Sequence, residues 1–129
     1  DAWRRDLTIN SLFYNLHTRM VEDWTGKGLD DLNSRMVRTP LEPMKTFYAY
    51  SVAPARPLRC IRFAVRLNFT LDPSIVVAAQ DSWVQADLKT KVSLERRGRE
   101  LKEMMSGADP HKAAALFGEC RMRDVVFLK

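Results

Sequence analysis

Four of the six prolines lie between residues 40 and 57, at Pro40, Pro43, Pro54 and Pro57. Proline has no amide hydrogen to give to a helix or a sheet ladder, and it pushes the residue before it toward extended backbone. The stretch therefore reads as a connector with at most a short turn of helix. It divides the chain into residues 1–50 and residues 51–129. Pro57 is the exception, because proline is tolerated in the first turn of a helix. A helix is predicted to start near Ala55 and to run to about Leu67.

That helix carries the most distinctive pattern in the chain. Arg56, Arg59, Arg62 and Arg66 recur at i, i+3, i+6 and i+10. At ~100° per residue they spread along one side, and Leu58, Ile61, Ala64 and Val65 occupy the other. A row of planar guanidinium forks suits phosphate or base-edge recognition. The same spacing also describes a solvated charged face.

The flanking segments show ordinary periodicities. Ile9, Leu12, Phe13 and Leu16 fall at i, i+3, i+4 and i+7, which predicts an amphipathic helix capped by Asp6 or Thr8. Arg4 and Arg5 just ahead of it would either build an anion site with the helix amides or stand in solvent. Strands are predicted at residues 20–24 and 36–39, with a turn at 25–28 and a short helical turn at 30–32. Glu22, Asp23, Asp30 and Asp31 suit either a hard cation or a solvated acidic turn. The run Phe47-Tyr48-Ala49-Tyr50 suits base stacking or buried connector packing. Beyond residue 70 the signals are helical: Asp72-Pro73, Ser82, Ser93 and Asp109-Pro110 mark starts, and Gly107 marks a stop. Val125 to Leu128 form an apolar tail with no element after it.

Bulk properties narrow the class. The 129 residues are 46% hydrophobic and 29% charged, with a net charge of +5. That favours a globular protein with a polyanionic partner, either nucleic acid or an anionic membrane. No apolar run approaches the ~18 residues of a membrane span, so no membrane partner is expected. Cys60 and Cys120 fit no CxxC spacing and read as ordinary thiols of a reducing, intracellular compartment. His17 and His111 have no Cys or carboxylate at ligand spacing. The chain opens on Asp1 rather than Met and reads as an excerpt of a longer product.

Several segments, in order, resemble the class II tRNA nucleotidyltransferases, the CCA-adding enzymes, whose core the bacterial poly(A) polymerases share. Residues 4–12, RRDLTINSL, resemble the RRDxTINA signature. VEDWTGKGLDDL at residues 21–32 and VRTPL at 37–41 are similar to the segments that follow it, and lean toward the eukaryotic branch. Residues 59–64 resemble RxxRFA, and residues 93–100 resemble SxERxxxE. The resemblance implies an α+β chain. Residues 1–50 would be the C-terminal portion of a nucleotidyltransferase head, helix plus short strands. Residues 51–129 would be an all-helical neck, truncated at its end, that binds nucleotide and RNA. The implied reaction adds C, C and A to tRNA 3′ ends from CTP and ATP, with magnesium (Mg2+) as cofactor.

By the same resemblance, Arg5 and Asp6 would contact the nucleotide and Asn10 would support their turn. Arg56 would fall on the base-reading arginine of a DDPxR or EDxxR motif, with Arg59 and Arg62 following it. Glu95, Arg96 and Glu100 would brace the neck, with no chemistry assigned. Two departures stand out. The family's glycine-rich turn and metal-binding Asp-x-Asp are not in this chain, so no catalytic or metal-binding residue is assigned and the chain alone is expected to be inactive. The two acids expected before Pro54 are Val52 and Ala53, in a linker at residues 48–53 longer than the family's. Alanine cannot accept a hydrogen bond from the amine of cytosine. A non-catalytic nucleotide- or RNA-binding remnant, or an A-adding, poly(A) polymerase-like fragment, are the alternatives. The sequence sets neither oligomeric state nor compartment.

Overall fold

The computed structural model describes residues 2–48 and 54–127, with side chains to residue 125. Ala49, Tyr50, Val52, Ala53 and Leu128 lie outside the described residues. A 3-10 turn at Ala2–Arg4 leads to strands β1 (Leu12–Asn15) and β2 (Met20–Asp23), helix α1 (Gly28–Ser34), strand β3 (Met36–Val37) and helix α2 (Pro43–Tyr48). Then come α3 (Arg56–Leu67), β4 (Thr70–Leu71), α4 (Pro73–Ala79), α5 (Ser82–Lys91), α6 (Leu94–Met105), α7 (Pro110–Glu119) and α8 (Arg123–Phe127). Mixed short strands and helices match the expected fold class. No helix among the described residues is long and apolar enough to cross a membrane.

The helix expected over residues 9–16 is a strand instead. β1 pairs antiparallel with β2, Leu12 opposite Asp23 and Asn15 opposite Met20. The Asn15 side chain accepts from the amides of His17 and Thr18, and Arg19 takes a left-handed φ of 57°, so the chain turns back at once. Leu16, which a helix would have buried, is 81% exposed. Asp6 caps no helix, so of the two readings of Arg4 and Arg5 the anion site built on helix amides loses its helix start. The other elements follow the sequence signals more closely. The α3 boundaries match, the cap of α5 is Asp81 rather than Ser82, and α6 stops at Met105, before Gly107.

The core sits on the apolar side of α3. Leu58, Ile61 and Ala64 are fully buried and cluster with Val37, Phe47, Ile75, Leu88 and Phe117. Burying one such side chain contributes ~1.5–3 kcal/mol, so this cluster outweighs any single surface pair. Asn68 ends α3 in a left-handed conformation, and Phe69 donates back to the Ala64 carbonyl. That reversal delivers β4 into parallel pairing with β3, Met36 beside Thr70 and Val37 beside Leu71. Cys60 and Cys120 are free thiols. Burial pushes both up, Cys120 to about 12, so neither is a thiolate at neutral pH.

Asp23 takes the place of an N-cap for α1. Its carboxylate accepts from the amides of Gly28 and Leu29 and from the Thr25 hydroxyl. Burial pulls its pKa up, but the bonds from Leu29, Gly28, Thr25 and Gly26 together outweigh it and hold the carboxyl below its usual range. A depressed folded pKa stabilises the fold above the unfolded pKa, and this is lost as pH falls through the folded value. Asp23→Asn is expected to cost ~1 kcal/mol at pH 7, the scale of a lost cap. In urea unfolding the gap to the unsubstituted protein should close below about pH 4. A gap that persists in acid would contradict the assignment.

Candidate nucleotide site

The turn after Arg5 is fixed from beneath. Leu7, Thr8 and Ser11 are fully buried. The Ser11 hydroxyl donates to the Leu7 carbonyl at 2.7 Å, and the Thr8 hydroxyl donates to Asp31 at 2.6 Å. The Thr8 amide donates to the carbonyl of Arg38, where the chain leaves β3. With the turn pinned in this way, Asp6 faces α3.

There Asp6 meets Arg59. Arg59 Nε donates to Asp6 Oδ2 at 2.8 Å, and Asn10 Nδ2 donates to Asp6 Oδ1 at 3.4 Å. The aspartate side chain is 9% exposed and the arginine 33%. Among the described residues, no hydrogen bond engages the two Nη groups of Arg59. Its guanidinium also lies over the Phe63 ring, 5.5 Å from the centroid, which orients the fork. Arg5 is exposed, with its guanidinium 5.2 Å from the centre of the Phe13 ring. The arrangement holds a buried acceptor against a cation whose outer donors remain available for an anion.

Arg56 and Arg62 are engaged with the protein itself. Arg56 donates to the backbone carbonyls of Thr46 and Arg4. Arg62 turns to α6, 3.0 Å from Glu100 and 2.6 Å from Glu103. Arg62 draws the Glu103 carboxyl below its usual range, by hydrogen bond first and by charge second. Only Arg66 of the four is fully on the surface. Asp6, Asn10, Arg59 and Arg56 thus come together, with Arg5 alongside, while Arg62 shares the Phe63 ring with Arg59, 5.1 Å from its centroid, and pairs with the acids of α6. Of the expected braces, Glu100 meets Arg62, and Glu95 meets Arg99 at 3.9 Å on the surface.

The acidic residues of the first half do not fit a magnesium site. Asp23 is engaged with α1, and Asp31 is buried between Thr8 and Arg38. Among the described residues no three His, Cys, Asp or Glu side chains converge. His17 and His111 are exposed. Phe47 is in the core, and the Tyr48 hydroxyl donates to Asp87 at 3.0 Å, so these two connector aromatics pack rather than present a stacking face. Sequence reasoning missed Thr8, Asp31 and Phe63 as supports of this site. Thr8 and Asp31 meet across 23 positions and Arg59 reaches Asp6 across 53, and no local spacing encodes either contact.

Comparisons with known proteins bear on the likeness and the fold of the chain. Residues 1–38 match the poly A polymerase head domain. The mitochondrial CCA tRNA nucleotidyltransferase of Saccharomyces cerevisiae is 42% identical over 98% of this chain, which spans 23% of that protein. The crystal structure of the Bacillus stearothermophilus CCA-adding enzyme in complex with CTP superposes with a TM-score of 0.78 at 27% identity, over 92% of this chain and 28% of that one. A tRNA nucleotidyltransferase complexed with a primer tRNA and an incoming ATP analogue gives 0.78 at 28% identity, over 98% of this chain and 36% of that one. Residues 1–38 thus carry a poly A polymerase head domain match, and nearly the whole chain is similar to a part of CCA-adding tRNA nucleotidyltransferases, 23% of the yeast protein's length and 28–36% of the two solved chains.

Proposed function

We propose that this chain is part of an enzyme that adds C, C and A to tRNA 3′ ends, and that it supplies the surface receiving CTP or ATP. Residues 1–50 would be the C-terminal portion of the head and residues 51–129 the neck. The observation that carries this reading is the Asp6–Arg59 pair with its open Nη groups. Asp6 and Asn10 would face the sugar, while Arg59 and Arg5 would face the phosphates. Arg56 and Arg62 belong to the set through α3, which they tie to the head turn and to α6. The partners would be tRNA, CTP and ATP, in whichever compartment of the cell processes that tRNA.

Magnesium would serve the complete enzyme, and no ligand for it is assigned here: among the described residues no group of three or more His, Cys, Asp or Glu converges. By the family resemblance, which places a metal-binding Asp-x-Asp not found in this sequence, residues 1–129 alone are expected to bind nucleotide without transferring it. The measurement is incorporation of labelled CTP and ATP into tRNA lacking its CCA end, beside equilibrium dialysis with each nucleotide. Magnesium-dependent incorporation by this chain alone would refute the inactivity. Failure to retain either nucleotide would refute the site. A second reading, addition of A only, is favoured by Val52 and Ala53 where the family places two acids. It requires retention of ATP with little retention of CTP.

A further inference from the structure

The resemblance assigns Phe63 no role, yet two arginines of α3 meet on its ring. The Arg59 guanidinium lies 5.5 Å from the ring centroid and that of Arg62 lies 5.1 Å from it. A guanidinium is drawn to the negative face of an aromatic ring. From the ring the two side chains part. Arg59 reaches the head turn through Asp6 at 2.8 Å. Arg62 reaches α6, 3.0 Å from Glu100 and 2.6 Å from Glu103. The ring itself is half-buried and packs against the core cluster, so its place is set from below. A single hydrogen bond at Nε fixes one point of the Arg59 fork but leaves its plane free to swing. Contact with a ring that is held by the core removes that freedom. The Nη groups of Arg59 then keep one direction, and Arg62 is kept on the same ring.

We propose that Phe63 is a positioning residue of the nucleotide site, the shared platform on which Arg59 and Arg62 are held so that both forks meet one nucleotide. This rests on Asp6 and Arg59 forming that site. The platform also accounts for Arg62, whose acids lie on α6 but whose ring contact lies with Arg59. In this role Phe63 acts through the arginines and touches neither base. Its loss therefore weakens CTP and ATP alike, because both carry the same triphosphate. A core residue that only fills space behaves differently. Leucine, apolar and not far from it in size, would then serve nearly as well, and tyrosine would serve no better. A platform needs a π face, which tyrosine keeps and leucine lacks.

The test compares Phe63→Leu with Phe63→Tyr in the whole chain. Equilibrium dialysis with CTP and with ATP is the first measurement. Phe63→Leu is expected to weaken both by the same factor, about 3- to 10-fold, the scale of a guanidinium–ring contact. Phe63→Tyr is expected to stay within about twofold of the unsubstituted protein. The second measurement is proton exchange at arginine Nε, read by NMR without nucleotide. Exchange at Arg59 is expected to quicken several-fold in Phe63→Leu and not in Phe63→Tyr. Arg97, whose Nε donates to the Val92 carbonyl, is the internal reference and is expected not to change. Equal quickening at Arg97 would assign the effect to general loosening and overturn the platform. Undiminished affinity in Phe63→Leu, or an equal loss in both variants, overturns it too. So does a clear change in the CTP-to-ATP ratio, which would place the ring at the base. If the unsubstituted protein retains neither nucleotide, the site reading fails, and exchange at Arg59 alone decides whether the ring holds that arginine. If Phe63→Leu does not fold, Phe63→Met takes its place in the same comparisons.

Discussion

Arg59→Ala is expected to weaken binding of both CTP and ATP by about 10- to 100-fold, because hydrogen bonds from a charged donor contribute ~1.5–3 kcal/mol. The same substitution strips the charge-assisted bond from Asp6, whose side chain is only 9% exposed. The fold should therefore lose ~1–3 kcal/mol as well, the cost of a buried acceptor left short of a partner. Arg59→Lys separates the two effects. A lysine ammonium can reach Asp6 but cannot also present a planar pair of donors to phosphate. Stability should return further than affinity does. Calorimetric titration with each nucleotide, beside urea unfolding, reads both quantities. Undiminished affinity in Arg59→Ala would remove Arg59 from the site. Equal recovery of stability and affinity in Arg59→Lys would mean that Arg59 acts only through Asp6.

Why this pair, and not the whole arginine row, forms the candidate site was only partly visible in the sequence. The helix itself was legible, because Pro57 sets its start and the three-residue arginine spacing separates a charged side from Leu58, Ile61 and Ala64. What each arginine meets was not. Asp6 lies 53 positions from Arg59, and Glu103 lies 41 positions from Arg62, so no local pattern pairs them. The resemblance named Asp6 and Arg59 together without indicating that they bond to each other. The hairpin failed for a different reason. Ile9, Leu12, Phe13 and Leu16 satisfy a helical period, yet strand identity at residues 12–15 is decided by the partner at 20–23. β3 and β4 are two residues each, too short to show any period, and they exist because the reversal at Asn68 lays one beside the other. The acidic quartet shows the same limit. Composition alone permits a cation site, and only the folded chain shows Asp23 turned to amides and Asp31 to Thr8.

The neck raises the same contrast within three residues of α6. The motif-like stretch pointed to Arg96 as a brace, but Arg96 is exposed and its neighbour Arg97 is buried at 5% exposure. Arg97 Nε donates to the Val92 carbonyl at 3.1 Å and Nη2 to the Lys89 carbonyl at 3.3 Å, while Nη1 donates to the Val125 carbonyl. Lys89 lies in the last turn of α5 and Val92 at its C-cap, where backbone carbonyls lack helical partners and a cation is favoured by the helix dipole. One side chain thus closes the end of α5 and holds α8 to it. Arg97→Met keeps a long apolar stem but removes every donor, leaving three carbonyls to find water or go unpaired. The expected loss is on the order of 3 kcal/mol. Arg96→Met and Arg99→Met, on the exposed side of the same helix, should stay within about 0.5 kcal/mol of the unsubstituted protein. Urea unfolding of the three variants makes the comparison at nearly constant composition. Amide exchange in α8 should quicken only in Arg97→Met, because only that variant releases the Val125 carbonyl. Equal midpoints for Arg96→Met and Arg97→Met would show that burial of Arg97 contributes no more to the neck than a surface charge does.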